Sequence, residues 1–387
     1  MRASVVISAI VAVLVGFGGS LAVILSAAQA VGASPDQTSS WVTALCLSMM
    51  ATTAYLSIHH RLPIITAWST PGAALIAASS GVSIEAAVGA FILAAVLILI
   101  TALFRPVSVL IERIPTPIAS AMLAGVLFSF VVAIFNHLPG APALVLPLII
   151  TFVILRQYSP AWAVLIVLLL GVALVYVLGM TVPIVELRMS EIVWVSPGFD
   201  TATLIGLGVP LYLVTMASQN LPGFAVLKAA GYPVPSRSIL AVTGLSSLMT
   251  AGMGAHTSNL AAITASICTG PDAHPDKNKR WLCGPVYAAG YGFLAIFGAS
   301  FVTLFYSFPQ ALIATIAGIA LAGPLVGALG ASLAEEQQRF AAVTTFVVTA
   351  SGFSILGVGS AFWGLVAGLI ITGLDQCARR IHIRRGS

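Results

Sequence analysis

Charge is what this chain lacks most. Its 387 residues include 16 Lys and Arg and 11 Asp and Glu, 7% of the total, where a soluble domain carries roughly a quarter. That is too little to coat a water-facing surface, and it removes disorder and nucleic-acid binding, which need charge or basic clustering. Cysteine is as sparse. Cys46, Cys268, Cys283 and Cys377 are scattered, so a secreted disulfide scaffold is excluded. His274 lies between the middle two, but without CxxC pairs they make a poor zinc site. No metal-ligand pair, Ser/His/Asp order or phosphate loop falls in the apolar stretches, so neither an intramembrane enzyme nor a cofactor is expected. What is present is apolar: 59% hydrophobic residues and a mean hydropathy of +1.08. The expectation is an all-α polytopic membrane protein.

A spanning helix needs about 20 apolar residues. The first thirty residues imitate a signal peptide, with Arg2 and small residues at Ala27 to Ala30, but the apolar run is too long for one and reads as a first membrane segment. Cutting the chain at Pro, Gly and charge clusters gives segments at 4–30, 41–58, 64–80, 85–104, 115–136, 140–157 and 160–179. A linker at 181–200 follows, then 202–229, 237–252, 257–269, 282–306, 308–328, 339–357 and 360–377. With the N-terminus in the cytoplasm, every Lys and Arg falls inside except Arg188, the bias that sets membrane orientation. Both termini are then cytoplasmic.

The fourteen segments fall into halves, 1–180 and 201–387, that echo each other. Ala22-Val23-Ile24-Leu25 recurs as Ala225-Val226-Leu227, and the run from Ile114-Pro115 to Gly125 resembles Phe308-Pro309 to Gly318. Because seven is odd, the second copy must be inverted, as in transporter repeats. Segments 3 and 10 are short and occupy equivalent places, the pointer to a site built from discontinuous helices. In segment 3, Thr70 is the expected N-cap with Pro71 at the first helical position, the residues before it being extended. In segment 10, Gly252 and Gly254 open an extended stretch and Thr257 or Ser258 is the expected cap. Two half-helix N-termini meeting at mid-membrane would suit an anion; ordinary kinks with back-bonded Ser and Thr are the alternative.

Three further groups are candidates. Gln219 and Asn220 in segment 8 must face the interior, as substrate contacts or as helix-helix glue. Phe17, Gly18 and Gly19 in segment 1 would let a flat ligand approach backbone. His256 is the sole ionisable side chain assigned to mid-membrane, and either couples protons or holds a backbone carbonyl as a neutral ring.

The stretches ITAWSTPGAALI, Ile65 to Ile76, and GAHTSNLAAITASICTG, Gly254 to Gly270, resemble the benzoate/proton symporter family, also called benzoate membrane transport proteins. That family is similar to the nucleobase/cation symporters and sulfate permeases. The resemblance implies an inverted seven-plus-seven fold, with a substrate-carrying core from 4–104 and 202–306. A gate from 115–179 and 308–377 would complete it, and through the gate such proteins often form homodimers. Where nucleobase relatives carry carboxylates on segments 8 and 10, this chain has Gln219 and Ser258, a departure that suits an anion.

The expected function is import of benzoate or a similar aromatic carboxylate with a proton across a bacterial-type inner membrane. A symporter for another small organic anion or a nucleobase, and a passive anion channel, are the alternatives. Expected substrate residues are Phe17, Gly18, Gly19, Ser69, Thr70, Gln219, Asn220, Thr257, Ser258 and Asn259, with His256 coupling the proton.

Overall fold

The computed structural model describes residues 2–104, 115–158, 160–180, 188–355 and 358–385. Arg105 and Arg113 of the topology above and Ile114 of the internal echo lie outside the described residues, as does the start of the linker, 181–187. The first half runs α1 (Ala3–Gly18), α2 (Leu21–Ala30), α3 (Pro35–His60), β1 (Thr66–Trp68), α4 (Thr70–Ala77), α5 (Ile84–Leu103), α6 (Thr116–His137), α7 (Pro142–Leu155) and α8 (Pro160–Val177). The second half opens with the continuous helix α9 (Thr201–Ala229). It continues with α10 (Ser236–Ala251), β2 (Ser258–Leu260), α11 (Ile263–Thr269), α12 (Cys283–Ile296), α13 (Gly298–Tyr306), α14 (Gln310–Leu333) and α15 (Arg339–Ala350). A two-residue hairpin, β3 (Ser354–Ile355) with β4 (Val358–Gly359), leads into α16 (Ser360–Arg385). Among the described residues, seven helices are long and apolar enough to cross a membrane, or eight when the bent α12–α13 pair counts as one; α7 and α8 are shorter apolar helices.

Local chemistry explains where these elements depart from the expected segments. α3 starts six residues before the expected 41, because Ser34 and Gln37 form a reciprocal capping box (2.8 and 3.2 Å) with Pro35 in the first turn. The expected straight segment 282–306 is bent by 62°. Ser190 of the linker causes it: its N–H donates to the Ile296 carbonyl (3.0 Å) and its Oγ accepts from the Ala299 N–H (3.0 Å), an insertion into the helical ladder of the kind that kinks helices. α15 stops at Ala350 rather than 357, where Gly352 takes a positive φ of 68°.

Two packed groups emerge. α12 lies on α3, α10 on α5, α2 on α4, and α1 against α11 and α12; separately, α14 packs on α6, and α15 on both α6 and α16. Gly125 and Gly318 allow close approach inside the second group: a Cβ on Gly318 would lie 2.5 Å from the Phe130 carbonyl, and one on Gly125 2.6 Å from Thr349. They therefore hold α6 closely to α15 and to α14. From 188 onward the linker carries neither helix nor strand and is hydrogen-bonded to the first group. Val193 N–H donates to Ser40 Oγ (2.9 Å), Val195 N–H to the Gly252 carbonyl (2.7 Å) and Gly198 N–H to the Glu85 carbonyl (2.7 Å).

At the centre, β1 and β2 pair antiparallel with Thr66 opposite Leu260 and Trp68 opposite Ser258. Ser69 N–H to the Thr257 carbonyl (3.0 Å) and Ala261 N–H to the Ile65 carbonyl (2.9 Å) extend the ladder at both ends. A two-stranded ribbon has two open edges, which hydrocarbon does not tolerate. Side chains close them. Thr66 N–H donates to Thr53 Oγ1 (3.0 Å), Ser258 N–H to Ser247 Oγ (2.8 Å) and Leu260 N–H to Asn220 Oδ1 (2.9 Å). Tyr287 donates to the Thr66 carbonyl (3.0 Å) and Ser57 to that of Ile64 (2.8 Å). Thr53→Val should therefore cost about 1–3 kcal/mol, the penalty of an orphaned buried N–H, read as a lower melting temperature of the detergent-purified protein. Thr303→Val, in a hydroxyl that bonds only its own exposed helix turn, should leave it unchanged.

Candidate functional site

The strand pair delivers the chain to two half-helices. The cap of α4 is Ser69, one residue before the expected Thr70: its Oγ accepts from the Gly72 N–H (3.1 Å), which places Thr70 and Pro71 in the first turn. α11 begins later than expected. Thr257 and Ser258 belong to the extended stretch, and Ala262 stands at the N-cap without a side-chain bond. The correction has a physical cause: the backbone around Ser258 is held by the β1 pairing, so its side chain is not free to cap a helix.

Between these starts lies a cavity of about 210 Å³. Gly16, Gly19 and Ser20 from the α1–α2 break form one wall, and Trp68, Thr70 and Pro71 another; Gln219, Thr264 and Tyr291 close the same group. Phe152, Val164, Ile319, Ala320, Gly323 and Pro324 face them from the other helix group. Among the described residues, no charged side chain lines the cavity. Polar character comes from the first turns of α4 and α11, where N–H groups lack intrahelical partners, and from a few side chains. The Trp68 Nε1–H donates to Ser20 Oγ (2.8 Å), which donates to the Gly16 carbonyl (2.5 Å). Gly16 is needed for space, since a Cβ there would lie 2.9 Å from the Tyr291 hydroxyl.

Of the residues expected from sequence, Gly19, Thr70 and Gln219 line the cavity. The others stand behind it. Phe17 packs edge-on against Trp68 and Phe301, at 6.0 and 5.2 Å between centroids, and Gly18 faces Leu165 and Leu168 of α8. Ser69 caps α4. Asn220 secures β2 instead of a ligand, because the π-helical turn Met216–Asn220 presents Gln219 to the cavity and Asn220 to the strand. Thr257 and Ser258 bond Thr215 (2.7 Å) and Ser48 (2.6 Å), and the Asn259 amide lies between the Ser69 N–H and the Leu260 carbonyl (2.9 and 3.0 Å). Sequence reading passed over Trp68, Thr264 and Tyr291. The spacing of Tyr287 and Tyr291, one turn apart in an apolar span, was the available signal.

His256 is fully buried and away from the cavity wall. Its Nδ1 accepts from Trp41 Nε1–H (3.0 Å), and its Nε2 lies 3.0 Å from the Ser69 carbonyl. An indole nitrogen can only donate and a carbonyl can only accept. The two partners together specify the neutral tautomer with its proton on Nε2, holding α3, the Gly254–Thr257 stretch and the α4 cap in one register.

Comparison with known proteins agrees over nearly the whole chain. The family model BenE, benzoate membrane transport protein, matches residues 1–374. Inner membrane protein YdcO of Escherichia coli (strain K12) is 39% identical over 359 residues, covering 92% of each chain. The benzoate membrane transport protein of Acinetobacter baylyi is 36% identical over 369 residues, covering 95% of this chain and 94% of its own. Among solved structures, the transmembrane domain of a cyanobacterium bicarbonate transporter, BicA, superposes with a TM-score of 0.65 at 14% identity, covering 95% and 97% of the two chains. The structure of SLC26A9 superposes with a TM-score of 0.65 at 12% identity, covering 96% of this chain and 65% of that one.

If the cavity is the ligand site, filling it should block binding. Gly16→Val is expected to raise the KM for benzoate uptake into proteoliposomes at least about tenfold, with the protein still folded by its melting curve. An unchanged KM would place the site elsewhere.

Proposed function

The chain belongs to the benzoate membrane transport protein family, a family of membrane transporters and not of enzymes, and we propose that it imports benzoate or a similar aromatic carboxylate together with a proton. The observation that carries this reading is the cavity without charged side chains at the starts of two half-helices. Its volume lies below the range of about 300–1,000 Å³ typical of pockets for drug-sized ligands, which favours a single ring bearing a small polar group. The ring lies against Trp68, Tyr291 and Pro324. The carboxylate sits at the first turns of α4 and α11, where helix dipoles favour negative charge, with Gln219 as a side-chain donor. A nucleobase is the second reading; it is disfavoured because Gln219 and Ser258 stand where nucleobase relatives carry carboxylates, and Ser258 is already bonded to Ser48.

We further propose the inverted seven-plus-seven arrangement, with both termini cytoplasmic in a bacterial-type inner membrane. The shared order of a strand and a short half-helix in each half, β1–α4 and β2–α11, supports the repeat, and the Escherichia coli relative, an inner membrane protein, supports the location. The two packed groups are the proposed core (4–104 and 202–306) and gate (115–179 and 308–377), which move against each other, with a homodimer formed through the gate. A cross-link between Gly18→Cys and Leu165→Cys, positions that face each other across the two groups, should stop transport while leaving benzoate binding measurable. Full transport with the cross-link formed would rule out relative motion there.

Coupling to a proton follows from the charge carried. Moving one anion into a cell that is negative inside costs about 2.3 kcal/mol per 100 mV, and one accompanying proton cancels it. With both His256 nitrogens engaged by Trp41 and Ser69, we place that proton along polar side chains and water rather than on the histidine, so that the ligand is held as the carboxylate. Uptake should rise as external pH falls toward the ordinary carboxyl range near about 4, and a protonophore should collapse accumulation, which a passive channel never achieves. His256→Gln should keep this pH profile. A flattened profile with surviving benzoate exchange would return the proton to His256.

A further inference from the structure

Thr264 is the second residue of α11 and lines the cavity. Its hydroxyl is buried, the residue being 6% exposed, and has no hydrogen-bond partner. Ser39, Thr43, Thr349 and Gln338 share that condition among the described residues, but none of them borders this cavity. The neighbouring Tyr287 hydroxyl gives its proton to the Thr66 carbonyl (3.0 Å) and, though its oxygen could still accept, does not meet Thr264 in hydrogen-bonding geometry.

The reason lies in the position of Thr264 on its helix. Several buried Ser and Thr in the apolar helices donate to the carbonyl four residues back: Thr243 to Ile239 (2.8 Å), Ser247 to Thr243 (2.7 Å), Thr315 to Ala311 (2.6 Å) and Thr345 to Ala341 (2.8 Å). For Thr264 that residue is Leu260, which lies in strand β2 and not in the helix. A threonine in the first turn of a half-helix thus keeps its hydroxyl unused, and a buried polar group without a partner calls for one.

Resting on the reading of this cavity as the benzoate site, we infer that Thr264 is a specificity-determining residue whose hydroxyl donates to an oxygen of the bound carboxylate. It selects for ligands that place an acceptor oxygen at the start of α11. Ser20, at the same cavity, cannot serve, since its oxygen already accepts from Trp68 and its proton goes to Gly16.

The test compares Thr264→Val and Thr264→Ser with the unmodified protein in proteoliposomes, using labelled benzoate. Valine should raise the KM about tenfold or more, the range for losing a donor to a charged acceptor, while serine stays within about threefold. Because valine replaces an unpaired buried hydroxyl by an apolar group of similar shape, the ligand-free Thr264→Val protein should melt no lower than the unmodified one, which a merely structural role would not allow. An unchanged KM in Thr264→Val, or an equal loss in Thr264→Ser, overturns the inference while leaving the benzoate reading intact. Absence of benzoate uptake by the unmodified protein would sink that reading and the inference with it.

Discussion

A backbone amide in hydrocarbon has no water to turn to, and the centre of this protein is arranged around that constraint. Half-helices that begin at mid-membrane require extended chain to reach them, and extended chain exposes N–H and C=O groups. β1 and β2 satisfy one another along their shared edge. Their outer edges fall to Thr53, Ser57, Asn220, Ser247 and Tyr287, contributed by four different helices. The constraint also explains the composition of α3, whose hydropathy of 1.4 is half the 2.8 of α5. Ser48, Thr52, Thr53 and Ser57 make it less apolar because they face the ribbon, not lipid.

On the proposed reading, the same arrangement would let an uncharged cavity accept a charge. A fixed lysine or arginine beside the site would have to be desolvated in every state of the cycle, at a cost of several kcal/mol. Half-helix N-termini supply partial positive charge that is built from neutral peptide groups. They carry no such penalty when the site is empty. Gln219 reaches the cavity through a π-helical turn, a distortion often found at functional sites, while its neighbour Asn220 turns to the scaffold.

Much of this was legible in the sequence, and the boundary of what was not is instructive. The break before α4 shows in Ser69-Thr70-Pro71, and the one-residue error in its cap arises because Ser69 and Thr70 are both good caps and proline is tolerated in either of the first positions. The start of α11 was misplaced because what holds Ser258 to Leu260 extended is a partner strand nearly two hundred residues away. A local reading contains no trace of it. Gln219 and Asn220 are chemically alike and adjacent, and only the π turn separates a cavity residue from a scaffold residue. His256 stood out as ionisable, yet its role depends on Trp41 and the Ser69 carbonyl, both remote in sequence.

The register of the ribbon sets an order of events during synthesis. Thr66 faces Leu260, so β1 is made about 190 residues before its partner, an interval of roughly 10–40 s at 5–20 residues per second. Throughout it, extended backbone already inserted in the bilayer must have hydrogen-bond partners. The Thr53 and Ser57 hydroxyls, one helix earlier in the chain, engage Thr66 and Ile64 from within the first half, so part of the strand is provided for as soon as it emerges. The second strand needs no such nursemaid: Asn220 and Ser247 precede it, and when it arrives β1 is waiting. Part of the hydroxyl content of α3 thus belongs to the biogenesis of the protein as much as to its finished form.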